Sequence, residues 1–260
     1  MTLPFSSLGG WRFEEQAGSP DELFEETSNR LRSWAQDGPK NRRLIRILRV
    51  DRPSIVLGSA QAVGDLRESI MRPVVVRRRS GGGAVWLEPD SVIWLDVMIE
   101  RHDPLWLDDV GRAVWWLGEA ISAGLFGAGL TSFTTYRGPM VRASGSRELC
   151  WLGTGAGEVV ETENLSRKIV GIAQKRTRDQ ALFQVGVLLK PCQFRLAPWF
   201  GLDVAAVAAS ESSGFGGVAT ASPASTIEYI LRAIAGASAM PPAAAASAAS
   251  AASASSPASL

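Results

Sequence analysis

Three arginines stand directly before three glycines in the segment RRRSGGGAV, residues 77–85. Because glycine has no Cβ, such a loop can adopt left-handed conformations and expose its backbone N–H groups to a ligand. Side chains on an extended segment alternate sides, so one or two of the arginines can face that ligand. Guanidinium groups beside exposed amides bind carboxylates or phosphates. The segment predicts an anion site, although a solvated hairpin turn would use the same residues.

The glycine loop does not match the two common nucleotide-binding motifs. No Gly-Lys-Ser/Thr follows it, as a Walker loop requires, and the GxGxxG spacing of the dinucleotide-binding fold is absent. The arginines and glycines therefore predict an anion site of a different kind.

Lys168 is the second residue that could do chemistry. Its neighbours Ile169, Val170 and Ile172 predict a buried strand, in which an ammonium group would be partly desolvated. Such a lysine either supplies a charge to a reactive centre or points into solvent from an edge strand. The residues around Lys168 leave both interpretations open.

Cys150 and Cys192 are the two cysteines, and neither lies in a CxxC or His-rich context. They predict no disulfide framework and no zinc site, which favours a reducing, cytoplasmic location. Cys150 precedes the strand of Lys168, where it could act as a nucleophile or fill a small apolar space. His102 is the single histidine, so a His-based triad is not predicted unless this residue reaches the cleft.

Helices and strands must position these residues. Amphipathic spacing predicts helices at residues 20–34 and 108–125, and a shorter one at residues 65–70. Runs of β-branched and apolar residues predict strands. The strands are residues 44–50, 54–58, 74–76, 91–100, 157–161, 167–174 and 181–190, and short helices follow at residues 196–200, 204–209 and 227–235.

This order of elements predicts one α/β (α+β) domain over residues 1–235, with a mixed, largely antiparallel sheet flanked by helices. Residues 236–260 are rich in Ala, Ser and Pro and predict a disordered tail. With 27 basic and 26 acidic residues, the chain has no net field that favours nucleic acid or an anionic membrane. Neither an export signal nor a bilayer-spanning run is predicted.

Taken together, RRRSGGGAV and RKIVGIAQKRTRDQALFQVGVLL, residues 167–189, resemble the catalytic domain of the biotin/lipoate protein ligase family. The resemblance is to the branch of lipoate-protein ligase A and the octanoyltransferases, and it covers about residues 20–200. PSIVLGSAQ, residues 53–61, resembles the element that precedes the glycine loop in that family. The resemblance implies an α/β domain with a mixed sheet, in which the loop lines a slot for an acyl chain.

The resemblance also implies roles for individual residues. Arg77 and Arg78 match the paired arginines of the family, and Lys168 matches the lysine that contacts the reacting carbonyl. An ammonium group there would stabilise the oxygen that gains charge in the transition state. Further residues match the loop or the element behind the lysine and would bind substrate; they are Ser80, Gly81, Gly82, Gly83, Ala84, Gly171, Ala173 and Gln174.

Two chemistries share this scaffold. A ligase uses ATP and Mg²⁺ to activate lipoate or octanoate as an acyl-adenylate, which the lysine of a lipoyl carrier domain attacks. A transferase instead carries the acyl group as a thioester on a cysteine, and Cys150 lies close to the position of that cysteine in one octanoyltransferase group. The implied partners are the lipoyl domains of 2-oxoacid dehydrogenase complexes or the glycine cleavage carrier protein, with acyl carrier protein as a further candidate.

The chain departs from the family pattern after the loop. Trp86, Leu87 and Glu88 stand where ligases usually have an aromatic residue, His and Asp, and VIWLD, residues 92–96, replaces a segment with Asn. These losses affect ATP activation more than acyl binding. Gly83 favours a ligase, because cysteine-dependent transferases more often carry an arginine at this position. We therefore expect a ligase first and an ATP-independent transferase second, with a non-catalytic lipoyl- or biotinyl-binding protein or a biotin ligase as alternatives.

Overall fold

The computed structural model describes residues 6–37, 40, 42–67, 73–211 and 222–237. Within them the chain forms five α-helices: α1 (Pro20–Asp37), α2 (Trp115–Gly127), α3 (Ala197–Phe200), α4 (Val204–Ser210) and α5 (Pro223–Gly236). The strands are β1 (Ser7–Leu8), β2 (Trp11–Gly18), β3 (Arg43–Val50), β4 (Ser54–Leu57), β5 (Val74–Arg77), β6 (Val85–Leu87), β7 (Val92–Glu100), β8 (Phe133–Thr135), β9 (Val141–Arg142), β10 (Gly153–Thr154), β11 (Val159–Glu161), β12 (Lys168–Arg176) and β13 (Gln180–Leu188).

An eight-stranded mixed sheet runs in the order β1-β2-β3-β7-β13-β12-β11-β8. The pair β2 and β3 is parallel, and the other neighbouring pairs are antiparallel. A three-stranded sheet, β5-β4-β6, carries the glycine loop between its outer strands, and β9 pairs with β10. The predicted fold class, a mixed and largely antiparallel sheet flanked by helices, is confirmed.

Helices cover both faces of the central strands β7 and β13. On one face Trp94 makes an edge contact with Phe24 of α1, with ring centroids 5.3 Å apart. On the other face Phe183 contacts Trp116 of α2 in the same way, at 5.9 Å. All residues of β13 are buried, as a strand covered on both faces requires. This double burial explains the nearly continuous apolar run of that strand.

Helix α2 is shorter than its sequence pattern predicts. Residues 110–114 form turns, and the helix begins only at Trp115. The Asp109 carboxylate accepts hydrogen bonds from the backbone N–H of Gly111 (2.9 Å) and of Arg112 (3.2 Å). An aspartate that binds nearby backbone amides offers the chain an alternative to a helix. Val110, counted as part of the apolar face, is therefore exposed.

Strand β2 and several short strands are absent from the sequence prediction. In β2 the polar run Glu14 to Gln16 hides the alternation of the buried residues Trp11 and Phe13. Strands β1, β6, β8, β9 and β10 have two or three residues each, too few to show a period. The predicted helix at residues 65–70 and the predicted tail extend outside the described residues, and a 3-10 turn spans Val63–Asp65.

Candidate active site

Arg78 holds the glycine loop from beneath. Its side chain is buried, and its Nε donates to Ser80 Oγ at 3.1 Å while Nη1 donates to the carbonyl oxygen of Val56 at 3.3 Å. Nη2 donates to the carbonyl oxygens of Gly81 (2.7 Å) and Gly83 (2.8 Å). A planar guanidinium with several fixed donors is suited to such a role. Arg78 therefore joins β4 to the loop and defines the loop's path.

Arg77 and Arg79 point away from Arg78, as alternation along an extended segment requires. Both are exposed, and together with part of Arg78 they line a separate cavity of about 650 Å³ beside α1. Arg79 Nε donates to Ser28 Oγ at 2.9 Å. The structure thus places Arg77 in a different cavity from Lys168.

The loop packs so closely that glycine is required at three positions. Gly82 has a φ of +95°. A Cβ on Gly58 would lie 1.8 Å from the carbonyl oxygen of Gly82, and a Cβ on Gly83 would lie 2.7 Å from the backbone nitrogen of Cys150. The loop is therefore fixed between the end of β4 and the segment that carries Cys150.

Backbone hydrogen bonds join the end of the loop to the Cys150 segment. The N–H of Ala84 donates to the carbonyl oxygen of Glu148 at 2.7 Å, and the N–H of Cys150 donates to the carbonyl oxygen of Ala84 at 2.9 Å. Cys150 begins a 3-10 turn and is half-buried. These bonds fix its thiol beside the glycines.

Lys168 is buried at the start of β12, only 1% exposed, so the interpretation as a solvent-facing lysine is excluded. Its Nζ donates to the carbonyl oxygen of Cys150 at 2.7 Å and lies 3.0 Å from each carboxylate oxygen of Glu158. The Cys150 Sγ is 3.9 Å from the same Nζ. Lys168, Glu158 and Cys150 thus form one cluster, in which the first two are buried and Cys150 is half-buried.

Two buried cations, Arg78 and Lys168, share the neighbours Cys150 and Glu158. Burial lowers the pKa of Arg78, and the charges of Cys150 and Glu158 offset part of that effect. Burial alone would also lower the pKa of Lys168, but the charges of Cys150 and Glu158 outweigh it, so that pKa lies above its ordinary value. Lys168 is therefore a permanently charged ammonium group near neutral pH.

A cavity of about 420 Å³ opens over this cluster. Cys150, Lys168 and Glu158 line it, together with the three glycines of the loop. In the described part of the chain the N–H groups of these glycines donate no hydrogen bond and can serve a ligand. The remaining lining residues are Met140, Arg142, Ser146, Arg147, Gly153, Ile172, Ala173 and Gln174. The cavity combines a thiol, a fixed positive charge and free amides, the groups that acyl transfer uses.

A chain of buried polar groups supports the loop from the sheet. Ser80 Oγ donates to Gln184 Oε1 at 2.7 Å, and Gln184 Nε2 donates to Asp96 Oδ1 at 3.2 Å. Thr27 donates to the other oxygen of Asp96, and the Arg46 guanidinium lies 3.8 Å from that oxygen. Burial raises the pKa of Asp96, although these hydrogen bonds and Arg46 oppose the effect. Asp96 belongs to the segment VIWLD, which differs from the family pattern. It supports the loop through Gln184 and Ser80 and does not line the cavity.

Several residues of the site have no counterpart in the sequence prediction. Glu158 is the partner of Lys168, and its signal was an acidic residue beside the apolar pair Val159 and Val160. Trp151, directly after Cys150, lies over Gly171. Each contact joins two separate segments of the chain, so no periodic pattern in the sequence identifies it.

The other candidate residues lie apart from the cluster. Cys192 is buried beside Glu211, and burial raises the pKa of its thiol. His102 is exposed in the turn after β7 and does not line the cavity. Among the described residues, no three His, Cys, Asp or Glu side chains are grouped as a metal site, and no helix is long and apolar enough to cross a bilayer.

The chain matches the profile of the lipoyl protein ligase A/B catalytic domain over residues 27–197. Among solved structures, a lipoate-protein ligase A bound with ATP is 16% identical, with a TM-score of 0.63 over 85% of this chain and 83% of that one. The bipartite lipoate protein ligase of Thermoplasma acidophilum, described with its E2 lipoyl domain, is 14% identical, with a TM-score of 0.63 over 85% and 82%. The T. acidophilum protein Ta0514 with bound lipoic acid has the same identity and TM-score, over 85% and 83%. No curated protein matches the chain.

Proposed function

Because the chain belongs to the lipoyl protein ligase A/B catalytic-domain family, we propose that it attaches a lipoyl-type acyl group, octanoyl or lipoyl, to the lysine of a carrier domain. In this proposal the acyl group is carried as a thioester on Cys150. The sequence alone favoured the ATP-dependent ligase. The surroundings of Cys150 move the preference to the transferase.

The observation that carries the proposal is the contact between Cys150 and Lys168. The sulfur lies 3.9 Å from the ammonium nitrogen, and both residues line a cavity together with the glycines of the loop. A positive charge at this distance in a partly buried site stabilises the negative charge of a thiolate, the nucleophilic form of cysteine. A cysteine that only filled apolar space would need neither the ammonium group of Lys168 nor access to the cavity.

In the first step, the Cys150 thiolate attacks the carbonyl carbon of an acyl thioester donor. The C–S bond to the donor breaks, the donor thiol leaves with a proton from solvent, and Cys150 holds the acyl group as a new thioester. The carbonyl oxygen gains negative charge in the tetrahedral intermediate. The N–H groups of Gly81, Gly82 and Gly83 and the Lys168 ammonium are the donors available to stabilise it.

In the second step, the neutral ε-amine of the carrier lysine attacks the thioester carbonyl carbon on Cys150. The C–N bond forms, the Cys150 thiolate leaves, and the amine loses one proton to solvent. Lys168 again faces the sulfur that regains negative charge. No nucleotide is consumed, because a thioester already supplies an activated acyl group.

The rim of the cavity suits an anionic carrier. Arg142 and Arg147 line the rim, and neither forms an ion pair with a described carboxylate. Exposed Met140 and Val141 lie beside them. Basic and apolar groups around a reactive centre steer and hold an acidic surface. A lipoyl domain, named with one of the similar ligases, is the proposed partner. A free thiol nucleophile suits a reducing compartment, so the proposal includes a cytoplasmic location.

The test is acyl transfer without ATP. The protein is incubated with octanoyl acyl carrier protein, and mass spectrometry follows octanoylation of Cys150 and then of an added lipoyl domain. Cys150→Ala should lower transfer by about 10³-fold or more, whereas the matched variant Cys192→Ala should retain it. Full transfer by Cys150→Ala, or transfer that requires ATP, would contradict the thioester route.

An ATP-dependent ligase is the second candidate, and Gly83 favours it. The family's cysteine-dependent transferases more often have an arginine at this position, where a Cβ would here lie 2.7 Å from Cys150 N. Arg142 and Arg147 could meet the phosphates of ATP. The one carboxylate lining the cavity, Glu158, is paired with Lys168, so Mg²⁺ would depend on the phosphates. Incubation with octanoate, ATP and Mg²⁺ decides between the candidates, because only a ligase forms octanoyl-adenylate.

A further inference from the structure

The indole of Trp151 lies on two glycines of the central sheet. A Cβ on Gly171 of β12 would lie 3.4 Å from the ring, and a Cβ on Gly186 of β13 would lie 2.9 Å from it. These glycines are opposite each other across the strand pair. The indole N–H donates to the carbonyl oxygen of Lys168 at 2.9 Å, and the side chain is buried. Trp151 is thus held against the sheet, with its ring centroid 5.4 Å from the Lys168 Nζ.

The ring, and not the backbone, explains why position 186 is glycine, whereas a Cβ on Gly171 would just touch the ring at 3.4 Å. Neither Gly171 nor Gly186 has a positive φ, so any residue could adopt their backbone conformation. Glycine in the middle of a strand weakens it, and it marks a place where another group approaches closely. The approaching group is the indole of Trp151. The sheet therefore has a recess at this place, and the recess is filled by a side chain of the same protein.

The recess opens towards Cys150. A residual cavity of only about 10 Å³ lies beside the indole, too small to hold a ligand. Its walls are mainly apolar, and Cys150, Arg78 and Ala173 line it as well. Cys150 and Ala173 also line the large cavity. The other walls are Val85, Trp94, Trp151, Gly171, Gln184 and Gly186.

We infer that Trp151 determines acyl-chain specificity by filling the apolar recess beneath Cys150. The acyl chain then has only the space of the main cavity, because the indole occupies the recess into which a longer chain could extend. The substrate class is a short or medium straight-chain acyl group, octanoyl before longer fatty acyl groups. This inference rests on the proposed acyl transfer, because it assigns the chain-length limit of the same site.

Binding of free carboxylates tests the inference separately from catalysis. Hexanoate, octanoate, decanoate and dodecanoate are titrated calorimetrically into the wild type and into Trp151→Leu. Each methylene accommodated in an apolar pocket changes affinity by about tenfold or more. The ratio of dodecanoate to octanoate affinity should therefore rise at least about tenfold in Trp151→Leu. Loss of the Lys168 hydrogen bond would weaken all four ligands alike and leave the ratio unchanged.

Three further variants make the outcome specific. Trp151→Phe opens the recess less, keeps an aromatic ring in place if the leucine variant unfolds, and should shift the ratio in the same direction. Adding Gly171→Ala to Trp151→Leu returns a methyl group to the recess and should reverse part of the shift. Trp106→Leu, a matched change outside the recess, should keep the wild-type ratio.

Two results would overturn the inference: an unchanged ratio in both folded Trp151 variants, or no binding of any carboxylate to either protein. The transfer assay gives a separate result. A shifted binding ratio without transfer would refute the proposed thioester chemistry and leave the recess assignment intact.

Discussion

At the scale of single residues, the central feature is Lys168, a buried lysine whose positive charge is paired with Glu158. Lys168 is 1% exposed and directs its ammonium group at Glu158, Cys150 and one carbonyl oxygen. A charge in such a place is costly unless it is paired and hydrogen-bonded. The compensation by Glu158 keeps the positive charge available to the sulfur. The pair therefore links stability to the proposed chemistry.

The raised pKa of Lys168 predicts a loss of stability at alkaline pH. Because the folded-state pKa lies above the ordinary value of 10.5, the stabilisation is fully present below pH 10.5 and is lost as pH rises through the folded-state pKa. Urea unfolding at increasing pH should show this loss in the wild type. The double variant Lys168→Met/Glu158→Gln has no such charge and should lack this component.

The same measurement near neutral pH provides the control. Lys168→Met alone leaves Glu158 buried without its cation and should cost about 3–5 kcal/mol of unfolding free energy. The double variant should recover most of that loss, because both charges are gone. Equal losses in the single and double variants would contradict the pairing.

At the scale of elements, the three arginines separate into one structural residue and two surface residues. Arg78 binds the carbonyl oxygens of β4 and of the glycine loop, whereas Arg77 and Arg79 are exposed beside α1. Alternation along β5 causes this separation. Three consecutive glycines would make the loop flexible, but the buried guanidinium of Arg78 holds it in one conformation.

Arg78→Lys should loosen the glycine loop. A single ammonium group cannot reach all four acceptors, so about 3 kcal/mol of unfolding free energy should be lost. Hydrogen exchange at Gly81, Gly82 and Gly83 should also become faster. The matched variants Arg77→Lys and Arg79→Lys should change stability by less than about 0.5 kcal/mol. Unchanged exchange in Arg78→Lys would refute its anchoring role.

At the scale of the whole molecule, α5 completes the domain by packing on α2. A Cβ on Gly124 of α2 would lie 2.6 Å from the Cα of Ile230, so the two helices meet at backbone distance. The apolar face of α5 is buried, with Ile227, Ile230, Leu231 and Ile234 each at most 1% exposed. We propose that the domain ends with this helix and that residues beyond about 236 form a separate tail.

Truncation tests this boundary. Removal of residues 238–260 should shift the melting temperature by less than about 2 °C, because no described contact of the core is lost. Removal of residues 223–260 deletes α5 and should yield an unfolded or aggregated protein, because the covered face of α2 is exposed. Calorimetry of the two truncated proteins gives the comparison. Similar melting temperatures for both would contradict the proposed boundary.

Most of the fold could be predicted from the sequence, because its long elements carry local patterns. Helix α1 and strands β3, β7, β12 and β13 show clear apolar periods or runs. The start of α2 could not be predicted, because the side-chain hydrogen bonds of Asp109 replaced the helix that the apolar spacing indicates. Short strands such as β8 exist only because neighbouring strands pair with them.

For the site, the sequence by itself determined the components: a glycine loop with adjacent arginines, Lys168 in an apolar strand, and Cys150 shortly before it. The tertiary structure decided which arginine is buried, that Glu158 pairs with Lys168, and that Trp151 lies on Gly171. Residue types and alternation are local properties of a chain and can be read in order. Charge pairing and the filling of a recess depend on which distant segments the folded sheet brings together.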